Sequence, residues 1–280
     1  MYEILKKQPL NPTVTLMEIY APHVAKKAQA GQFIILRVDE MGERIPLTVA
    51  GYDREKGTVT IIFQIVGGST ELLNHKEEGD CLQDFVGPLG KPTETEGLKK
   101  VCVVGGGVGC AIALPVARKL KEQGCNVTSI IGFRSKDLVI LEEEFKAISD
   151  TFHIMTDDGS YGKKGNVCVP LNEMYEQGED FDEVIAIGPL VMMKFVCLAT
   201  KPHGTKTVVS MNPIMIDGTG MCGCCRLSVD GKMMFACVDG PDFDGHKVDF
   251  DEAMSRARSY TEFEAHAREK ACNLFKKEVQ

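Results

Sequence analysis

Over the first hundred residues apolar positions alternate with polar ones. Thr13-Val-Thr-Leu-Met-Glu-Ile and Gly57-Thr-Val-Thr-Ile-Ile-Phe-Gln-Ile-Val keep the two-residue period of strands with one buried face. Gly31, Gly42, Pro46, Gly51, Gly67 and Gly79 punctuate that pattern. Short strands at this spacing predict a small antiparallel barrel over residues 1–97, with one short helix from Ser69 to His75.

Near Lys99 the period changes. Val101-Cys-Val-Val reads as a short buried strand, followed by glycines and a helix from Ala111 to Gln123. Strands at Asn126–Gly132, Thr151–Met155, Glu183–Ile187 and Thr207–Ser210 then alternate with helices at Leu141–Ile148, Leu171–Gln177 and Pro189–Ala199. Such alternation predicts a parallel sheet covered on both faces, over residues 98–210, with the polar segment Gly90–Gly97 as the boundary. Residues 211–245 are irregular and rich in Gly, Cys and Met, and 246–280 read as an arm carrying one charged helix from Asp249 onward.

Composition narrows the function classes. The 280 residues suit about two domains. Lys and Arg number 32 against 40 Asp and Glu, a net charge of −8 without a basic block, and there is no Trp. Nucleic acid, held by counterion release or base stacking, is therefore excluded as a partner. No apolar run reaches the roughly 18 residues of a membrane span, and Met1–Leu10 lacks the apolar stretch of a secretory signal, so a cytoplasmic protein is expected. Eleven cysteines, an odd number in a reduced compartment, argue against a disulfide framework. Seven (Cys81, Cys102, Cys110, Cys125, Cys168, Cys197 and Cys272) are expected as buried small hydrophobes. Cys222, Cys224, Cys225 and Cys237 instead crowd into one segment.

Four motifs carry candidate chemistry. Gly105, Gly106, Gly107 and Gly109 run from a strand into a helix, where a backbone can approach a pyrophosphate, although Cys110 takes the third position of the usual glycine fingerprint; a plain tight turn has the same look. Gly67-Gly68-Ser69-Thr70 suits a second phosphate, or an ordinary helix cap. Arg44, Pro46, Leu47 and Thr48 offer a guanidinium and a hydroxyl at one strand edge, for a flavin diphosphate and ring or simply for solvent. Asp217-x4-Cys222-x2-Cys225-x11-Cys237 has the spacing of a plant-type [2Fe–2S] loop with aspartate in the first place; tetrahedral zinc fits the same donors, and Cys224 competes for the fourth position.

In this order (barrel, dinucleotide domain, cysteine loop) the chain resembles the ferredoxin–NADP reductase superfamily. Gly132-Phe-Arg-Ser-Lys-Asp, Leu141-Glu-Glu-Glu-Phe, Thr156-Asp-Asp-Gly-Ser-Tyr-Gly, Lys164-Gly165 and Gly188-Pro-Leu-Val-Met-Met extend the likeness over nearly the whole length. Within it the chain is similar to the electron-transfer subunits of class 1B dihydroorotate dehydrogenase. Asp217 and the helical tail after Val248 draw it toward the small subunits of NADH-dependent reduced ferredoxin:NADP oxidoreductases. The resemblance implies FAD at Arg44, Pro46, Leu47, Thr48, Gly67, Gly68, Ser69 and Thr70. It implies NAD(H) at Gly105, Gly106, Gly107 and Gly109, with Asp157, Asp158 and Gly188 at the mouth of that site. It implies a [2Fe–2S] cluster on Asp217, Cys222, Cys225 and Cys237. Arg134 and Lys136 stand where a basic residue can accept a 2′-phosphate, which leaves NADP open on physical grounds, whereas the resemblance favours NAD. The implied partner is a large iron–sulfur flavoprotein subunit resembling the small subunit of glutamate synthase, with ferredoxin reached through the complex. Hydride transfer requires no protein acid or base, so no catalytic residue is named. A colourless, zinc-stabilised nucleotide-binding regulator is the alternative from another class.

Overall fold

The computed structural model of the chain describes residues 2–278. The first part is a seven-stranded antiparallel sheet of β1 (Tyr2–Asn11), β2 (Val14–Tyr20), β3 (Phe33–Arg37), β4 (Arg44–Asp53), β5 (Thr58–Gln64), β6 (Cys81–Leu82) and β7 (Asp84–Leu89), in the order β6-β1-β2-β5-β4-β3-β7. The two end strands are separated in sequence by Gln83 alone, so the sheet must roll until its edges meet. Alternation fixes the register. Met17 faces Ile61 and Ile19 faces Val59, all fully buried, and a one-residue slip would turn all four outward. Helix α1 (Pro22–Lys27) plugs one end with Val24 and Ala25, and α2 (Gly68–Asn74) follows β5 where the glycines and hydroxyls predicted a helix.

The second part has the order β11-β10-β9-β8-β12-β13-β16, from β8 (Lys100–Gly106), β9 (Asn126–Phe133), β10 (Thr151–Thr156), β11 (Lys163–Lys164), β12 (Glu183–Ile187), β13 (Lys206–Ser210) and β16 (Asp242–Asp244). Helices α3 (Gly109–Glu122), α4 (Glu142–Ile148), α5 (Cys168–Glu176) and α6 (Leu190–Thr200) make the crossovers. Strands β8, β9, β10, β12 and β13 are parallel, as their continuous apolar runs predict, and apolar clusters cover both faces. The chain winds outward from β8 through β9 to β10, then returns to β12 on the other side of β8. A crevice therefore opens between the carboxyl ends of β8 and β12.

Within 98–210 the sheet is parallel as expected; from outside that span β16 adds an antiparallel edge strand beside β13, Ser210 facing Asp242. The irregular segment thus leaves the sheet after Met211, forms a hairpin of β14 (Arg226–Val229) and β15 (Lys232–Phe235), and returns to the same sheet. The tail is not one helix. It breaks at Arg258–Tyr260 into α7 (Phe250–Ala257), capped by the Asp249 carboxylate, and α8 (Thr261–Glu278). Helix α7 packs on α6 and β14, whereas α8 lies against α2 of the barrel. Four of the seven single cysteines are buried as expected; Cys81 and Cys168 are half-buried, and the side chain of Cys272 lies outside the described residues.

The linker is held from both sides. Thr93 donates its N–H to Ala30 O of the barrel (3.0 Å), and its Oγ1 donates to Asp242 Oδ2 at the sheet edge (2.6 Å). Among the described residues Asp242 Oδ1 is buried without a partner, and burial lifts this carboxyl to about 6 against the opposing hydrogen bonds of Thr93 and Ser210. A raised carboxyl pKa contributes stability that is full below the unfolded value, about 4, and is lost as pH rises through the folded value. At 1.36 kcal/mol per unit the loss is about 2–3 kcal/mol. The expected result is a denaturation midpoint that falls between about pH 4 and about pH 6.5, with a flatter profile for Asp242→Asn. Equal slopes in the two proteins would refute it.

Candidate functional site

At the crevice the glycines of β8 and α3 touch the end of β12. A Cβ on Gly109 would lie 2.4 Å from Ile187 O and 2.7 Å from Gly188 Cα, and one on Gly188 would lie 3.1 Å from Gly106 Cα. Gly107 adopts φ +54° with open space where a side chain would stand. No side chain caps the N-terminus of α3, so its first N–H groups are served by backbone or by a ligand. Cys110, in place of the third glycine, is fully buried, and its Sγ would be 2.9 Å from a Cβ on Gly105; it fills the strand–helix contact rather than the crevice. Arg134, Asp157 and Asp158 gather at the ends of β9 and β10, where Asp157 N donates to Phe133 O and Asp158 N to Arg134 O. The hydroxyl and N–H of Ser160 hold the Asp158 carboxyl below its usual range. Sequence reasoning did not single out Met192, whose Sδ and Cε sit over Gly106 and Gly188; its place in Gly188-Pro-Leu-Val-Met-Met was the available signal.

On the barrel, residues Arg44–Thr48 of β4 pair only with β3, because pairing with β5 begins at Val49. This half-strand has a free edge, which accommodates Pro46 without losing a ladder bond. Leu47 and Ile45 pack against the barrel core, and the pleat sets Arg44, Pro46 and Thr48 on the other face. Arg44 does not turn toward Thr48. Its Nε donates to Ile216 O (2.8 Å), and a terminal nitrogen approaches Asp84 at 3.8 Å. At α2 the Thr70 hydroxyl accepts from Val66 N and Gly67 N, both at 3.0 Å, and Ser69 donates to Glu43 (3.1 Å). Both hydroxyls are thus engaged within the protein. The α8 backbone stands close, since a Cβ on Gly68 would lie 3.2 Å from Ala267 O.

The cysteine loop rests on this same end of the barrel. A Cβ on Gly218 would lie 2.7 Å from Leu89 and 2.9 Å from Ile35, and Gly218, Gly220 and Gly223 all have positive φ, so the loop bends tightly against β3 and β7. Its cysteines meet in pairs, Cys225 with Cys237 and Cys222 with Cys224. Cys225 and Cys237 are buried with their sulfurs 3.2 Å apart, while exposed Cys222 takes backbone hydrogen bonds from Cys224 and Asp217, which pull its thiol pKa down. Gly220 directs a backbone hydrogen bond at Cys237. Asp217 Oδ2 accepts from the N–H and hydroxyl of Thr219, holding its carboxyl below the usual range. Among the described residues no three such side chains converge on a single-ion cage. The Cys224 carbonyl accepts from Arg256 of α7 (3.2 Å), and the hydrogen-bonded Cys222 thiol pushes the Cys224 thiol up.

Residues 212–249 match the iron–sulfur cluster binding domain of dihydroorotate dehydrogenase B. The dihydroorotate dehydrogenase B (NAD(+)) electron transfer subunit homolog of Thermotoga maritima is 47% identical over 262 residues, covering 94% of this chain and 92% of that protein. The corresponding electron transfer subunit of Streptococcus pneumoniae is 35% identical over 223 residues, 77% of this chain and 85% of that one. The chain belongs to the dihydroorotate dehydrogenase B electron-transfer subunit family. A chain in the structure of an NADH-dependent reduced ferredoxin–NADP oxidoreductase, solved to study flavin-based electron bifurcation, superposes with a TM-score of 0.91 at 46% identity, covering 96% of this chain and 97% of that one. Phthalate dioxygenase reductase shares the fold, with a TM-score of 0.60 at 17% identity over 81% of this chain and 85% of that one.

In this family member, the contact that sequence reasoning missed is Arg44 reaching the cysteine loop. Residues 44 and 216 are far apart in the chain, and no local pattern joins them. Arg44 thus ties the free edge of β4 to the backbone beside Asp217.

Proposed function

We propose that the chain is the electron-transfer subunit of an NADH-dependent ferredoxin–NADP oxidoreductase, working between NAD(H), FAD and a [2Fe–2S] cluster. The observation that carries this reading is a loop seated against the barrel, on which the Cys225 and Cys237 sulfurs face each other at 3.2 Å while the Asp217 backbone holds the Cys222 thiol. A two-iron cluster needs two ligands at each iron, whereas zinc needs four around one point. The likeness to relatives named for electron transfer supports the same reading.

When bound, NAD(H) and FAD exchange a hydride, and the cluster carries electrons one at a time. Residues 98–210 would hold NAD(H), with Gly105, Gly106, Gly107 and Gly109 letting its diphosphate approach the N-terminus of α3. Asp157, Asp158 and Gly188 would border the nicotinamide. Lys136 already lies 5.4 Å over the Tyr161 ring, so Arg134 is the basic residue that would meet an adenosine ribose. Residues 1–97 would hold FAD along the free edge of β4, at Arg44, Pro46, Leu47 and Thr48, with Gly67, Gly68, Ser69 and Thr70 at its phosphates. Residues 211–245 would hold the cluster, less β16, which serves the sheet, and 246–280 would form the arm. A large iron–sulfur flavoprotein partner resembling the glutamate synthase small subunit, with ferredoxin reached through it, completes the proposal. Ten free cysteines among the described residues suit a reducing cytoplasm.

The test is cofactor content of the full chain purified anaerobically. About one FAD, two irons and two sulfides per chain are expected. Zinc without flavin or sulfide would sink the proposal in favour of a structural-zinc regulator. A co-purifying TIM-barrel flavoprotein would transfer the chain to dihydroorotate oxidation.

A further inference from the structure

We infer that Thr219 is a positioning residue that presents Asp217 to the cluster through one carboxylate oxygen. The inference rests on the cluster reading above and deepens it.

Three donors converge on Asp217 Oδ2: Thr219 N at 2.9 Å, Thr219 Oγ1 at 2.6 Å and Met221 N at 3.2 Å. Among the described residues none donates to Oδ1. A carboxylate has two equivalent oxygens and can close on a metal with either or both. Here the network makes them inequivalent, occupying one and leaving the other for iron.

The backbone that carries the pair is fixed independently. Arg44 grips Ile216 O (2.8 Å), and Gly218, with φ +83°, is wedged against Leu89 and Ile35. On the opposite side of the turn, Asp217 gives a backbone hydrogen bond to Cys222, so aspartate and first cysteine lie side by side. The Thr219 hydroxyl is the one side-chain donor in the network; the other two donors belong to the backbone and survive substitution. It also withdraws negative charge from the ligand. A hydrogen bond to the free oxygen of a ligating carboxylate draws charge from it and favours the reduced, more negative cluster, so its removal lowers the potential.

The test compares the full parent chain, Thr219→Val and Thr219→Ser by iron and sulfide content, cluster midpoint potential and the electron paramagnetic resonance spectrum of the reduced protein. Valine keeps the shape and removes the donor; serine restores it. The expected result is unchanged iron and flavin in all three, a lower midpoint with shifted g-values in Thr219→Val, and parent values in Thr219→Ser. Iron lost from valine and kept by serine supports the inference equally. Identical midpoints and spectra for parent and valine would overturn it, as would serine behaving like valine. A parent chain without iron and sulfide would overturn the cluster reading itself, before either variant is compared.

Discussion

Gly109→Ala is expected to loosen the dinucleotide domain and abolish NADH binding while leaving the barrel folded. The new methyl would lie 2.4 Å from Ile187 O and 2.7 Å from Gly188 Cα. Both neighbours are backbone, so no rotamer change relieves the clash, and either α3 or the end of β12 must move. The glycine lies at the base of a helix whose Ala113, Val116, Ala117 and Leu120 are all fully buried, so a shift of α3 disturbs the core beneath it. Overpacking of this kind costs about 3 kcal/mol. Gly107→Ala is the control. Its φ of +54° strains a methyl by about 1 kcal/mol, but the space around it is open. Urea denaturation followed by far-ultraviolet circular dichroism, with NADH titration of each variant, separates the two. A Gly109→Ala midpoint equal to that of Gly107→Ala would refute the argument.

The two glycines also show where sequence reading reaches its limit. Val101-Cys-Val-Val followed by glycines and an apolar helix is legible because both periods are local, and β8 and α3 stand within two residues of expectation. The paired runs of β2 and β5 are legible for the same reason. Strand β4 is not, since its first half alternates around Pro46, and a proline is tolerated there only because the neighbouring strand has left. Strand β16, three residues long, is defined by its partner Val208–Ser210 rather than by any pattern of its own. In the site, the spacing of Cys222, Cys225 and Cys237 marks the ligand loop, yet nothing in that spacing says which barrel face receives it. Arg44 reads as a flavin contact by its position at a strand edge, and only the folded chain brings it to Ile216. Thr70 shows the converse, a hydroxyl legible as a phosphate contact or a cap that the structure engages as a cap.

Cys225→Ala is expected to remove the cluster entirely, with iron falling from about two per chain to a small residue and FAD retained. Cys225 is 2% exposed and Cys237 3%, so their facing thiols have no solvent to replace a lost sulfur. The flavin survives because the barrel core draws on β1 to β7 and α1, none of which includes the loop. Cys224→Ala is the decisive comparison. Its thiol shares the turn with Cys222, whose side-chain hydrogen bond raises the Cys224 pKa while backbone donors lower that of Cys222. Of the two, Cys222 is therefore the one poised as a thiolate, the form that ligates metal. Iron, sulfide and the visible spectrum of the Cys224→Ala chain should match the parent. Were Cys224→Ala to lose its iron and Asp217→Ala to keep it, the fourth ligand would be Cys224, and the loop would bind its cluster through four sulfurs instead of three and one oxygen.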